Sequence, residues 1–323
     1  IQAGGVRSFV VPLALNSLAM TTPKRLVPAF SLAPIQIKLT LDSQVNCVKQ
    51  VGAAGDFTLS EVHLVTYVTE LSGGAMAHLD KATGGVYNML CSTYSHTSAT
   101  LGSGYTSIAP TLGFSSSALE RIICIHRSQA SNNVAEAYSI GSRATAGLTE
   151  YGYTINGEQV PQKFIKVDGR GAAAMAELMV ADQSLMNFSK GCGLQNGFAA
   201  VTNATSGGGQ SMLSGVDPGA VKPDPWAYAN PAGLTAGSVT DAGAATESDC
   251  GKFIASVELE SSISDGKSSH IYSGISTLGG IVQFNGTYSG IAQVFDLDFY
   301  AQSTVVIGLD MSPRGTGTFT IST

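Results

Sequence analysis

A mainly β protein organised as two consecutive sandwiches is what the sequence predicts, on three observations. Apolar and polar residues alternate with period two in run after run. Most runs are short and bounded by Gly, Ser, Asn or Pro, the usual punctuation of strands and turns. The chain of 323 residues is long enough for two units of roughly 150 residues, each with its own core.

The first strand expected is Ile35-Gln36-Ile37-Lys38-Leu39-Thr40-Leu41, where every odd position is apolar and every even one polar. Residues 61–70 (EVHLVTYVTE), 121–127 (RIICIHR) and 151–156 (YGYTIN) repeat the pattern. So do residues 253–260 (FIASVELE), 280–284, 294–300 (VFDLDFY), 304–309 and 316–322. One segment departs from it. Residues 171–190 are rich in helix formers, and Met175, Leu178, Met179, Leu185 and Met186 recur at spacings of three and four, which predicts an amphipathic helix packed on a sheet. Residues 82–119 and 191–216 carry no Asp, Glu, Lys or Arg and little periodicity. They are expected to be extended excursions at subunit contacts or on an outer surface, the later one continuing through Pro218, Pro223, Pro225 and Pro231 towards Cys250. The strands divide near residue 150, giving expected domains at 1–150 and 151–323.

Composition narrows the function. Charged residues make up 12% of the chain, against a usual share of roughly 25%. The formal net charge of −6 lacks the basic footprint that neutralises phosphates, so sequence-specific nucleic-acid binding is not expected. A mean hydropathy of +0.18 is high for a chain that stays dissolved alone. The most apolar early stretch, residues 8–20, is interrupted by Pro12 and Asn16 and falls short of the roughly 20 apolar residues of a membrane span. Its position is that of a signal-peptide core, but one cation, Arg7, precedes it, and secretion is left open.

Cys47, Cys91, Cys124, Cys192 and Cys250 are scattered, with no CxxC pair, which fits neither a disulfide framework nor a zinc site. Reduced thiols suit folding inside a cell. Cys91 with His96 and Cys124 with His126 are neighbours; alternation places the second pair on one strand face, as packing residues.

The search for chemistry returns little. Gly266-Lys267-Ser268 ends like a phosphate-binding loop, but the required first glycine falls on Ser261. Gly286-Thr287-Tyr288-Ser289-Gly290 has its serine one place too late for a nucleophile elbow. Glu258 with Glu260, and Asp296 with Asp298, are paired carboxylates at i and i+2 of alternating strands. Each pair shares a face, and a solvated or interface face is favoured over acid–base catalysis. Asn203-Ala204-Thr205 and Asn285-Gly286-Thr287 match the glycosylation sequon, which matters only on a secretory route. No catalytic, cofactor-binding or metal-binding residue is therefore nominated, and no enzyme is expected.

The order of segments resembles a known family. VPLALNSLAM, LVPAFSLAPIQIKLTL and FTLSEVHLVTYVTEL are similar to the opening strands of double jelly-roll major capsid proteins of tailless icosahedral viruses. Tyr151-Gly152-Tyr153-Thr154-Ile155-Asn156-Gly157-Glu158-Gln159-Val160-Pro161, followed by the helix at 172–188, resembles the entry into their second barrel. SGISTLGGIVQFNG (273–286) and FDLDFYAQSTVVIGLDM (295–311) resemble their closing strands. The compact size is most like the members from small membrane-containing bacteriophages.

The resemblance implies two jelly rolls and a homotrimer that forms a pseudo-hexagonal capsomer and tiles an icosahedral virion shell assembled in the host cytoplasm. Implied partners are neighbouring capsomers and minor capsid or vertex proteins, and the presence of an internal lipid membrane is left open. Obligate interfaces of that kind exceed roughly 2,000 Å², which accounts for an apolar, weakly charged subunit with few ion pairs to desolvate. The competing reading is a two-domain β-sandwich adhesin or carbohydrate-binding surface protein, motivated by the Thr/Ser/Gly-rich strands and the sequons. A β-sandwich hydrolase would rest on the carboxylate pairs alone.

Overall fold

The computed structural model describes residues 37–43, 57–65, 69–129, 146–167, 172–181, 253–260, 274–289, 294–310 and 319–322. Within them lie two helices and ten strands: α1 (Gly73–Thr83), β1 (Val86–Leu101), β2 (Ser107–Ile108), β3 (Thr111–Leu112), β4 (Leu119–Ser128), β5 (Leu148–Ile155), β6 (Glu158–Lys166), α2 (Ala172–Ala181), β7 (Ala255–Glu258), β8 (Val282–Tyr288), β9 (Phe295–Asp310) and β10 (Phe319–Ser322). The mainly β class is as the alternation predicts.

The strands form two antiparallel sheets. One runs β1-β9-β4-β7, with β10 on the far part of β9; the other runs β2-β8-β5-β6, with β3 also on β8. Taking β2 and β3 as one broken strand, the pairs are β1 with β9, β2/β3 with β8, β4 with β7, and β5 with β6. That is one long hairpin wrapped so that alternate pairs fall in opposite sheets, the topology of a jelly roll.

Local chemistry sets each element. Ser72 caps α1, its Oγ accepting from the Ala75 amide at 3.3 Å, and Gly84, at φ 62°, ends it. The β5–β6 hairpin closes on Asn156 and Gly157, both at positive φ (54° and 87°), as a two-residue primed turn requires. Gly152 in β5 lies beneath the ring of Phe164 from β6; a Cβ there would sit 2.3 Å from that ring. Burial along β8 alternates strictly, with Val282, Phe284, Gly286 and Tyr288 inward.

The core lies between the two sheets. Leu101, Ile122, Leu297 and Phe299 meet Leu148, Tyr151, Tyr153, Val282 and Phe284 in one buried cluster. Phe284 packs on Phe299 with ring centroids 5.0 Å apart and on Tyr153 at 5.4 Å. The Tyr151 hydroxyl donates to the Ser256 carbonyl at 3.0 Å, so this buried polar end is satisfied across the sheets.

By contacts the chain divides into residues 1–37, 66–93 and 304–323, and residues 38–65 and 94–303. The cluster above belongs to the second unit. In the first, Cys91 is buried against Tyr87 and Ile307, and β10 pairs with β9 from Phe319↔Leu309 to Ser322↔Val306.

Several expectations read differently in the structure. The pairings run across residue 150, where the division into 1–150 and 151–323 was expected: β4 pairs with β7 and β9, and β5 with β8. The jelly roll described here therefore takes strands from both sides of that position. Alternation locates a strand but carries no information about its partner, and in a jelly roll the partners lie far apart in sequence. Residues 82–119 are not an excursion; they hold β1, β2 and β3. Uncharged Ser/Thr sequence is compatible with a strand whose polar side faces water. Conversely, the described parts of the expected strands at 35–41 and 61–70 are irregular, with Leu39, Leu41, Val62 and Leu64 exposed. The two expected strands at 294–300 and 304–309 are one continuous strand, β9. The 171–190 helix is observed as α2; its expected later turns, like residues 191–216, lie outside the described residues.

Candidate functional site

The richest polar arrangement lies on the outer face of the β1-β9-β4-β7 sheet. In β9, Phe295, Leu297, Phe299 and Ala301 point into the core, so alternation sends Asp296, Asp298, Tyr300 and Gln302 outward. Register then chooses their neighbours: Arg127 opposes Asp296, and Arg121 opposes both Gln302 on β9 and Glu258 on β7.

Asp298 is nearly inaccessible at 4% exposure, yet polar side chains hold it on two sides. Arg127 Nε donates to its Oδ2 at 2.5 Å, and His96 Nε2 lies 3.1 Å from its Oδ1. The His96 ring also stacks on Tyr300, centroids 4.8 Å apart. Burial pulls the Arg127 guanidinium down, but its hydrogen bond to Asp298 and the charges of Asp298, Asp296 and Tyr300 outweigh this, so it titrates above its usual range. Beside this group runs a second chain of bonds: Tyr94 Oη to Gln302 Oε1 at 2.8 Å, then Gln302 Nε2 to Glu120 Oε2 at 2.6 Å. Gln129 Nε2 donates to Asp296 at 2.6 Å.

At the β7 edge α2 packs on the sheet and sends Ala174 and Leu178 into the core. Glu177 Oε1 accepts from the Glu258 amide at 3.3 Å, and Arg121 donates to the Ala181 carbonyl at the helix end. Burial pushes the Glu258 carboxyl up to about 7, against the lowering effect of the Glu260 amide and Arg121. Burial likewise raises Glu120, helped by the charge of Glu260, and raises Glu177.

These contacts decide what the carboxylate pairs do. Glu258 accepts from the backbone amide of Glu260 at 3.1 Å, and both Asp298 oxygens are engaged by Arg127 and His96. The groups hold the sheet face and α2 in place; they are not poised as a free acid and a free base. Among the described residues no group of three or more His, Cys, Asp or Glu is placed to hold a metal ion.

The Cys124–His126 neighbours are core residues, as alternation indicates: both are fully buried. Burial lowers His126 to about 3 and pushes the Cys124 thiol well up, so the pair is neutral and inert as a nucleophile and base. His126 Nε2 lies 2.9 Å from the Tyr288 hydroxyl. Cys91 is buried too, but His96, five residues on, belongs to the Asp298 group. Asn285 of the second sequon sits mid-strand with Nδ2 donating to Thr154 Oγ1 at 2.9 Å. Cys47, Cys192, Cys250 and Asn203 lie outside the described residues. Sequence reasoning did not find Arg127, Gln302 or Glu120 as members of the face; the outward register of RIICIHR against FDLDFYAQS was the signal for the first two.

A jelly-roll sandwich with a bonded, largely neutralised polar face is thus the class that fold and site define. No protein-family model and no curated protein sequence matches the chain. Among solved structures it is similar to the mavirus major capsid protein, at 9% identity and a TM-score of 0.37, over 74% of this chain and 41% of that one. It is also similar to a chain of the PBCV-1 virus capsid, at 8% identity and a TM-score of 0.35, over 74% of this chain and 52% of that one. PBCV-1 VP54, fitted into a reconstruction of the virophage Sputnik, gives 8% identity, a TM-score of 0.32 and coverage of 74% and 52%. The chain therefore spans about half or less of the length of these proteins.

Proposed function

We propose that this chain is a structural subunit of a viral capsid, of the double jelly-roll class, whose work is to trimerise into pseudo-hexagonal capsomers and tile an icosahedral shell in the virion. The observation that carries the reading is the jelly-roll pairing itself. The segments whose order resembles that family at 151–161, 273–286 and 295–311 supply β5, the start of β6, β8 and β9, which are neighbours in the two sheets. The polar face supports it in a second way. Asp298, nearly inaccessible on that face, is paired within the subunit to Arg127 and His96, so covering it with a sister copy strands no unpaired carboxylate there. In this reading the protein catalyses nothing, its partners are sister subunits, neighbouring capsomers and minor capsid or vertex proteins, and it assembles in the host cytoplasm.

The test is the assembly state of the purified full chain, by light scattering and negative-stain microscopy. Trimers, or particles with hexagonal capsomers, are expected. A monodisperse monomer at high concentration that does not assemble with virion components would defeat the reading.

A further inference from the structure

Among the described residues, β1 is the long edge strand of the sandwich. It runs for 16 residues, and β9 is its strand neighbour among the described residues. Sheets protect such edges with Lys, Glu, Pro, bulges or brevity, because a row of unused N–H and C=O groups templates another strand. The remaining edges follow that rule. β6 carries Pro161, Lys163 and Lys166; β2 and β3 have two residues each, with Pro110 between them; β7 has four and packs against α2. β1 contains no Pro, Asp, Glu, Lys or Arg, and Ser95, His96, Ser98 and Thr100 are exposed along it.

The same chain holds a strand-forming sequence with no sheet. Ile37-Lys38-Leu39-Thr40-Leu41 alternates strictly, yet it forms no strand, and Leu39 and Leu41 stand 64% and 55% exposed. Alternation of this kind is worth something only when one face is covered.

We propose that residues 37–41 of one copy add as a strand to the Ser95–Thr100 edge of β1 in a neighbouring copy. Backbone hydrogen bonds along the edge supply the attachment, and Leu39 and Leu41, two residues apart, turn the same face towards the acceptor subunit. Donor and acceptor are different surfaces, so the contact is head-to-tail and can link more than two copies. The inference rests on the self-assembly reading above and names one of its contacts.

The double variant L39K/L41K tests the donor, and S98K, which places a charge at an exposed position on that edge, tests the acceptor. Assembly is followed by light scattering across a dilution series, and the fold by urea unfolding. Both variants are expected to raise the concentration needed for assembly at least about tenfold, the equivalent of roughly 1.4 kcal/mol. L39K/L41K should keep the wild-type unfolding midpoint, because both side chains are already exposed. If the wild type assembles and L39K/L41K assembles equally well, the strand contact is refuted while the assembly reading stands. If assembly and the unfolding midpoint of L39K/L41K fall together, residues 37–41 belong to the subunit's own fold and the proposal is equally refuted. A wild type that stays monomeric refutes both readings.

Discussion

Replacing Arg127 by Met is the most informative perturbation of the polar face. The substitution keeps much of the aliphatic stem and removes the guanidinium, leaving Asp298, 4% exposed, with His96 as its remaining side-chain partner. Stripping one partner from a fully buried pair costs about 3–5 kcal/mol. Arg127 is itself 32% exposed and His96 49%, so water recovers part of that. A loss of about 2 kcal/mol at pH 8 is expected. D298N removes the charge and keeps one acceptor, so it should cost about 1 kcal/mol, and R127M/D298N should cost less than the sum of the singles by about 1 kcal/mol. Urea unfolding of the four proteins at pH 8, followed by near-ultraviolet dichroism of the core tyrosines, measures these differences. If R127M lies within about 0.5 kcal/mol of wild type at pH 8, the charge on Asp298 does not depend on Arg127, and the account of this face is wrong.

Three further outcomes follow from other contacts. Glu258 titrates at about 7 in the folded chain, above its unfolded value, so the folded state is favoured at low pH and loses stability as pH rises towards and through 7. E258Q should flatten that decline and gain about 1–2 kcal/mol at pH 8, read from urea midpoints at pH 5 and 8; an unchanged slope would remove Glu258 as its source. His126 behaves oppositely. With its folded value lowered to about 3, stability is complete above 6.5 and drains as pH falls, so H126F should abolish an acid limb of up to about 5 kcal/mol, seen in a pH titration of the unfolding midpoint. G152A should cost about 1–3 kcal/mol by driving a methyl into Phe164, and G152A/F164L should recover part of it; equal stability of wild type and G152A in thermal unfolding would show that the hairpin yields freely.

The legibility of the fold followed the burial of each strand. RIICIHR and FDLDFYAQS alternate because one face of each meets the core, and both appear as central strands. β1 escaped notice because its residues 92–100 are mostly Ser and Thr and none of them is buried, and a stretch that buries little leaves little periodicity. β6 was hidden by Pro161 and its lysines, although Asn156-Gly157 marks the hairpin that leads into it. α1 has no buried residue, so no apolar stripe announced it; Ser72 before and Gly84 after were the available signs. The IQIKLTL run failed in the opposite direction: its described part, residues 37–41, has a clear pattern and pairs with no strand among the described residues. At the site, i and i+2 spacing correctly put Asp296 with Asp298 on one face. That Asp298 would be closed over by His96, some two hundred residues earlier, depended on a pairing between distant strands that no local pattern encodes.

That wrapped order has a kinetic side. β9 lies between β1 and β4, so the sheet acquires its middle only once the ribosome has released residues 295–310. Until then the earlier strands wait, apolar and unjoined, and loop closures of this span make for slow maturation. Production of the subunit should thus be limited less by synthesis than by how well nascent chains are shielded from one another before residues 295–310 emerge.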